Sequence, residues 1–264
     1  MAELDDLVRC VLADVGLRPV LPVDVDLVAR RFGVEVRRER LDGASGVLQM
    51  NGDRPTIVVE TKCARSRARF TLAHELGHYV LARYRQRVAA VWAAQPSLRD
   101  PERFCDRFAE SLLLPYDWVS TELSSGPQTL ERLLWVATVA DVSVSAASVR
   151  VARVARWQWT LLRLARMPRR WRLVSVTGLL RPGWQQRLEI TPGLQRRLDE
   201  APCGAPPQAS QWLPLLLEGR PCYAPAQLSA GSTSAIAWVD LLNRRAPSRR
   251  CSARPQRDVQ KLSA

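Results

Sequence analysis

Residues 70–81 restrict the possible folds of this chain more than any other segment. The run from Phe70 to Leu81 is mostly apolar and lacks proline, so it is expected to form a helix. Its centre reads His-Glu-Leu-Gly-His, with His74 and His78 four positions apart. On a helix these two side chains share one face, a turn apart. Ionisable groups among apolar neighbours are costly unless something binds them, so both rings need a partner.

The spacing of the two histidines is typical of a metal site. Two imidazoles at positions i and i+4 can hold one metal ion, and the Glu75 carboxylate beside them can polarise a metal-bound water. The chain has 2 histidines in all, and both lie in this motif, whereas structural histidines would be expected to scatter. The alternative is a pair of exposed or hydrogen-bonded histidines on an amphipathic helix.

A later helix offers a third ligand. Catalytic zinc sites have three protein ligands and one open position for water, and no third histidine is available. Asp100 as N-cap and Pro101 in the first turn predict a helix that stops before Pro115. Glu102 is our choice of ligand, and Asp106, one turn later, can accept the outer N–H of a ligand imidazole. The alternative is that Glu102 and Asp106 form a solvated acidic face of the helix and bind no metal.

The segment before the motif predicts a small mixed structure. Apolar spacing and capping residues predict helices at 3–15 and 25–32, followed by strands at 34–36, 46–50 and 55–60. Residues 51–54 carry an Asn-Gly signal for a hairpin between the last two strands. Two interpretations of the strand at 55–60 are given equal weight. It is either a buried core strand or part of an exposed sheet edge that binds an extended peptide. Residues 85–99 are expected to be an irregular connection.

Three stretches together resemble the ImmA/IrrE family of metallo-endopeptidases, which are gluzincin-like HExxH enzymes: residues 41–47, 69–78 and 108–115. The resemblance implies a compact zincin-like peptidase fold, one Zn²⁺ per chain, and cleavage of a helix-turn-helix repressor in stress response or mobile-element regulation. One departure is that Cys105-Asp106 stands where the family often has Ala-Asn. Aspartate is at least as good an acceptor as asparagine, so activity is still expected. Beyond Pro115 the resemblance weakens.

The hypothesis that follows is a zinc-dependent endopeptidase. Glu75 would take a proton from water and pass it to the leaving amine. The expected zinc ligands are His74, His78 and Glu102, with Asp106 behind one ring. A further donor for the developing oxyanion is left open among three tyrosines. These are Tyr79, Tyr84 and Tyr116.

The basic charge of the chain lies mainly in its second half. The net charge is +13, and residues 1–120 contribute +1 of it while residues 121–264 contribute +12. A helix at 130–140 and a second helix from Val144 to Met167 predict a helix-turn-helix. Arginines recur along the second helix, and Arg150, Arg153 and Arg156 are candidates for DNA contact. The alternative is a packing helix pair with solvated arginines.

The predicted fold is α+β in four regions. These are a zincin-like peptidase domain with a small antiparallel sheet at 1–120, a helix-turn-helix-like basic segment at 121–168, a small α+β module at 169–243 and a disordered tail at 244–264. The acidic N-terminus and the absence of a long apolar run favour a cytoplasmic protein without a membrane partner. None of the 6 cysteines forms a CxxC pair, and Cys105 is interpreted as a packing residue.

Two other functions remain open on the sequence. The first is a regulator that binds DNA or a repressor through the basic segment and has a structural or vestigial metal site. The second is a different HExxH enzyme such as a deformylase, which recruits an upstream cysteine. Cys63 is upstream, but its surroundings do not resemble that loop.

Overall fold

The computed structural model describes residues 2–50, 54–168, 170–178, 188–201, 203, 211–217, 220–241 and 244–245. The chain divides into two compact units, one formed by residues 1–159 with 177–179 and the other by residues 160–176 with 180–264. The predicted turn at 51–54 lies outside the described residues apart from Arg54, and the predicted tail lies outside them apart from residues 244–245.

The first unit contains eight described helices and three described strands. In chain order they are α1 (Ala2–Asp14), α2 (Val25–Arg31), β1 (Glu35–Glu39), β2 (Gly46–Gln49), β3 (Thr56–Glu60), α3 (Arg65–Arg83), α4 (Arg85–Ala94), α5 (Pro101–Leu113), α6 (Tyr116–Glu122), α7 (Leu130–Ala140) and α8 (Val144–Val154). A 3₁₀ turn, Pro96–Arg99, joins α4 to α5. The predicted α+β class is therefore confirmed.

The three strands form one sheet in the order β1-β3-β2. β2 and β3 are antiparallel, as the hairpin signal predicted, with Val47 opposite Val58. β1 runs parallel to β3, so the sheet is mixed and the expectation of an antiparallel sheet is corrected. Every residue of β3 except its last is buried, because this strand lies between two others and beneath α3. β2 is left at the edge of the sheet.

Local capping explains where the central helices begin and end. Asp24 accepts a hydrogen bond from Leu27 N at the start of α2, and Gly33, with φ +75°, follows its end. Asp100 accepts from Glu102 N at the start of α5, with Pro101 in the first turn. Both caps agree with the prediction from sequence, since capping depends on neighbouring residues alone.

Two predicted segments are wrong. Residues 85–94 form a helix, with Val88 and Val91 buried, rather than an irregular connection. The predicted helix from Val144 to Met167 ends at Val154, and residues 160–167 form a strand instead. A short apolar run fits a buried strand as well as a helix, and here pairing with another strand decides.

In the residues that the structure describes, the second unit consists of one sheet and one helix. Its elements are β4 (Thr160–Met167), β5 (Arg170–Gly178), β6 (Leu188–Ile190), α9 (Pro192–Glu200), β7 (Gln211–Leu217), β8 (Arg220–Ala230) and β9 (Ser234–Val239). The six strands lie in the order β5-β4-β9-β8-β7-β6. Leu194 and Leu198 of α9 are buried in a core with Leu213 and Leu215 of β7. The predicted strand at 171–177 lies within β5.

Helices α7 and α8 are joined by a short turn and bent by 108° to each other, within the range of a helix-turn-helix. Asp141 at this turn adopts a left-handed conformation with φ 52°. Taken singly, no helix in the described ranges combines the length and apolar character that crossing a membrane requires; α7 and α8 satisfy that test only when joined across their bend.

Candidate metal centre

Helices α3 and α5 bring the predicted ligands together. His74 and His78 lie one turn apart on α3, with ring centroids separated by 5.1 Å. Glu102, in the first turn of α5, faces both rings. Its Oε2 lies 3.2 Å from His74 Nε2 and its Oε1 lies 3.3 Å from His78 Nε2. Two imidazole nitrogens and a carboxylate therefore converge on one point at the protein surface, where 70% of the Glu102 side chain is exposed.

Asp106 lies behind the first ring. Its Oδ1 is 2.9 Å from His74 Nδ1, so the ring nitrogen that faces away from Glu102 has a hydrogen-bond partner. This bond is the largest cause of a raised pKa for His74, and partial burial opposes it. With Nδ1 carrying the proton, Nε2 presents its lone pair toward Glu102 and His78. The carboxylate thus orients the imidazole as a metal ligand requires.

Glu75 is half-buried between α3 and β2. Burial raises the pKa of its carboxyl group, while the two histidines and a hydrogen bond from the Leu48 backbone oppose that shift. β2 can approach because Gly46 has no side chain. A Cβ at this position would lie 2.4 Å from Thr71 Cγ2 and 3.3 Å from Glu75 Oε1. The edge strand is thereby held directly against the glutamate of the motif.

Cys105 joins the histidines from the buried side. Its Sγ and one ring nitrogen from each histidine all lie within 4.8 Å of one another. The side chain is fully buried, and burial raises the pKa of its thiol strongly. The burial of Cys105 agrees with its interpretation from sequence as a packing residue, but that interpretation did not include its position beside the two histidines. Its position three residues after Glu102 was the available signal, because that spacing keeps both on the same side of a helix.

The three tyrosines lie away from these donors. Tyr79 is buried, and its hydroxyl donates a hydrogen bond of 3.0 Å to the Phe32 backbone oxygen, so it is a wrong candidate for the oxyanion donor. The Tyr84 ring contacts Phe32 and the Arg87 guanidinium at the far end of α3. Tyr116 lines a cavity of about 700 Å³ between α1 and α6. No described contact joins any of them to the histidines.

Arg150, a candidate for DNA contact, is instead a core residue. Only 1% of its side chain is exposed. Its Nε donates to Leu114 O at 2.8 Å and its Nη2 to Asp5 Oδ1 at 2.5 Å. Ser111 Oγ donates to the same Asp5 oxygen at 2.7 Å. The expectation that Arg150 contacts DNA is therefore corrected, because its charge is used inside the protein.

The other two arginine candidates differ from each other. Arg153 forms an ion pair with Glu110 and is partly buried, so its charge is also used internally. Arg156 follows the end of α8, is exposed, and has a left-handed φ of 55°. None of the 11 residues of α8 is exposed, so this helix does not offer a face for the major groove. Of the three, Arg156 alone keeps the accessibility that DNA contact requires.

The helix pair, the mixed sheet and the converging donors define a metallopeptidase-type domain. Residues 29–152 match the model of the IrrE N-terminal-like domain, peptidase family M78. The similarity to the ImmA/IrrE family is therefore shown for this segment, which is a little under half of the chain.

Comparison with solved structures extends the likeness in fold to most of the chain. A Mycobacterium tuberculosis transcriptional regulator is 15% identical with a TM-score of 0.55, and the alignment covers 90% of this chain and 76% of that one. At this identity the likeness concerns the fold alone. No curated protein sequence matches the chain.

Proposed function

We propose that this protein is a zinc-dependent endopeptidase that cleaves a transcriptional repressor of the helix-turn-helix type. The observation that carries the proposal is the position of Glu102, whose two carboxylate oxygens lie 3.2 and 3.3 Å from the Nε2 atoms of His74 and His78. The similarity of residues 29–152 to a peptidase family supports the reaction class. The repressor, and a role in stress response or mobile-element regulation, rest on family resemblance.

The donors fit zinc. Two imidazoles and a carboxylate are a known ligand set for catalytic zinc, which retains an open coordination position. Without a metal, the close approach of two ring nitrogens and an exposed carboxylate would add little to the stability of the fold, since exposed ion pairs contribute about 0–1 kcal/mol. His74, His78 and Glu102 would hold the ion. Zinc bound there would polarise a substrate carbonyl and lower the pKa of water toward neutrality.

Glu75 is suited to move protons at this site. Burial raises the pKa of its carboxyl group toward the working pH, where a general base is most effective. The Leu48 backbone of β2 partly opposes this shift of the Glu75 pKa. Glu75 would accept a proton from the attacking water and then deliver it to the leaving amine. Asp106 would keep the Nδ1 proton on His74 during both steps.

The substrate would bind along β2. This strand is at the edge of its sheet, with β3 on the other side, so one row of its backbone groups is available to an extended peptide. Val47 is 38% exposed on the same strand. Because Gly46 contacts Glu75, a peptide added beside β2 would place its backbone close to the general base.

The test combines metal analysis with cleavage. Protein purified without added metal is compared with the Glu102→Ala variant by elemental analysis, and both are incubated with a candidate repressor and with a peptide library. The proposal expects near-stoichiometric zinc and cleavage in the native protein, with both reduced in Glu102→Ala. Stoichiometric zinc without cleavage of any substrate would contradict the peptidase proposal and favour a structural metal.

A DNA-binding regulator with a vestigial site is the competing function. The burial of Arg150 and the lack of exposed residues on α8 argue against it, since binding would need accessible cations. Duplex DNA binding that weakens steeply with salt, in a protein without peptidase activity, would favour this function instead.

A further inference from the structure

The thiol of Cys105 is a fourth donor at the metal centre. Its Sγ, a nitrogen of His74 and a nitrogen of His78 all lie within 4.8 Å of one another. The side chain is completely buried, and among the residues that the structure describes no hydrogen bond reaches its Sγ. A buried thiol that faces two imidazoles, with no hydrogen bond of its own, is a donor available to a metal.

Close packing of two helices fixes this position. Gly77, between the two histidines, faces the backbone of Cys105. A Cβ added at Gly77 would lie 2.9 Å from Cys105 Cα and 3.1 Å from its Sγ. Helix α5 therefore approaches α3 at the motif itself, and Cys105 has little freedom to turn away.

Helix α5 thus places three polar side chains around the histidine pair within about one turn. Glu102 reaches both Nε2 atoms from the exposed side. Asp106 reaches His74 Nδ1 from behind. Cys105 lies between them in sequence and approaches from the buried side.

We propose that Cys105 is a ligand of the same metal ion, so that the resting protein holds zinc in a closed set of His74, His78, Glu102 and Cys105. The proposal rests on the metal site of the proposed function. Zinc prefers four-coordinate sites and binds thiolate tightly, and four protein ligands leave no position for water. On binding, the S–H bond breaks, the sulfur–zinc bond forms and the proton leaves to solvent.

This arrangement would make the peptidase partly latent, because the native protein would cleave only in the fraction of molecules whose Cys105 thiolate has left the metal. A water can take the fourth position only after the Cys105 thiolate has left it. An alanine at position 105 would have no sulfur to occupy that position, so the site would stay open. The chain would then bind metal less tightly but hydrolyse peptides faster.

Cobalt(II) is the probe that tests the ligand, because thiolate bound to cobalt gives an intense charge-transfer absorption in the near ultraviolet. The full-length protein is stripped of metal and titrated with Co²⁺ to one equivalent, together with Cys105→Ala and Cys105→Ser. Cys63→Ala is the matched control, since Cys63 is a partly buried thiol of the same unit whose Sγ donates to Glu60 O.

The expected result is an absorption band in the native protein and in Cys63→Ala that is lost in both Cys105 variants. Identical spectra in the native protein and the Cys105 variants, each with cobalt bound, would overturn the proposal. If Cys105→Ala does not fold, the serine variant, which is close in size, gives the same comparison.

Peptide hydrolysis provides the second readout. Cobalt- or zinc-loaded Cys105→Ala is expected to cleave faster than the native protein, and equal or slower cleavage at full loading would overturn the latency. The two proposals fail differently. Loss of the band without cleavage by any variant would leave Cys105 as a ligand and refute the peptidase, whereas cleavage with unchanged spectra would refute Cys105 alone.

Discussion

Helix α5 carries two polar clusters that look alike in sequence and differ in structure. Near its start, Glu102 and Asp106 meet the histidines of α3. Near its end, Ser111 meets Asp5, which in turn binds Arg150. The Glu102 side chain is 70% exposed, whereas the Arg150 side chain is 1% exposed.

The two clusters differ in how many of their polar atoms lack a hydrogen-bond partner within the protein. In the buried cluster, the Arg150 guanidinium binds a carboxylate and a backbone carbonyl, and the hydroxyl of Ser111 completes the network. At the candidate metal centre, the Nε2 atoms of both histidines and the two oxygens of Glu102 lie close together. A satisfied buried network stabilises a fold, while an unsatisfied convergence of ligands suits the binding of an ion.

Glu75→Gln is expected to give the largest effect of these variants. It should lower peptide turnover without changing metal content or stability. Removal of a general base lowers turnover by about 10²- to 10⁴-fold. Metal content by elemental analysis should remain that of the native protein, because Glu75 is not a proposed ligand. The midpoint of urea unfolding should also be retained. A variant that cleaves at the native rate would remove Glu75 from the mechanism.

Arg150→Ala should destabilise the fold by about 3–5 kcal/mol, because it leaves the Asp5 carboxylate buried without its partner. Urea unfolding measures the change. Arg156→Ala is the control, since this exposed arginine should alter stability by no more than about 0.5 kcal/mol.

If Arg150→Ala fails to fold, the double change Asp5→Leu with Arg150→Leu provides a second test, because removal of both charges leaves neither unpaired. Equal destabilisation by Arg150→Ala and Arg156→Ala would contradict the assignment of Arg150 to the core.

Asp106→Ala should weaken metal binding by about 10- to 100-fold, the effect typical of a lost partner of a ligand histidine. Competition with a chelator measures the affinity. Asp117→Ala serves for comparison, because Asp117 is an exposed acid of α6 that pairs loosely with Arg9 at 3.6 Å. Matching affinities for the two variants would show that Asp106 does not orient His74.

Tyr79→Phe should have the smallest effect. It removes the hydrogen bond to Phe32 O and should lower the free energy of unfolding by about 0.5–1.5 kcal/mol. Peptide turnover should be unchanged, since the hydroxyl is directed away from the histidines. A large drop in turnover, with stability preserved, would restore Tyr79 as a candidate oxyanion donor.

The motif helix, the caps and the strand pairing of β2 with β3 could all be predicted from sequence. His74 and His78 share a face because helical geometry requires it. Asp24 and Asp100 cap their helices because capping involves residues only two or three positions away. The choice of Glu102 and Asp106 also depended on local spacing, and the structure places both beside the histidines. Their roles toward a metal remain proposals.

Sequence by itself therefore determined the features that depend on short-range geometry: the face shared by the two histidines, the start of α5 and the antiparallel pairing of β2 with β3. Tertiary structure alone decided the rest. Arg150 became a core residue because Asp5, 145 positions away, neutralises it. The run at 160–167 became a strand because β9 offered backbone partners. Cys105 reached the histidines because Gly77 let two helices touch. In each case the deciding partner is remote in sequence, and local patterns carry no information about it.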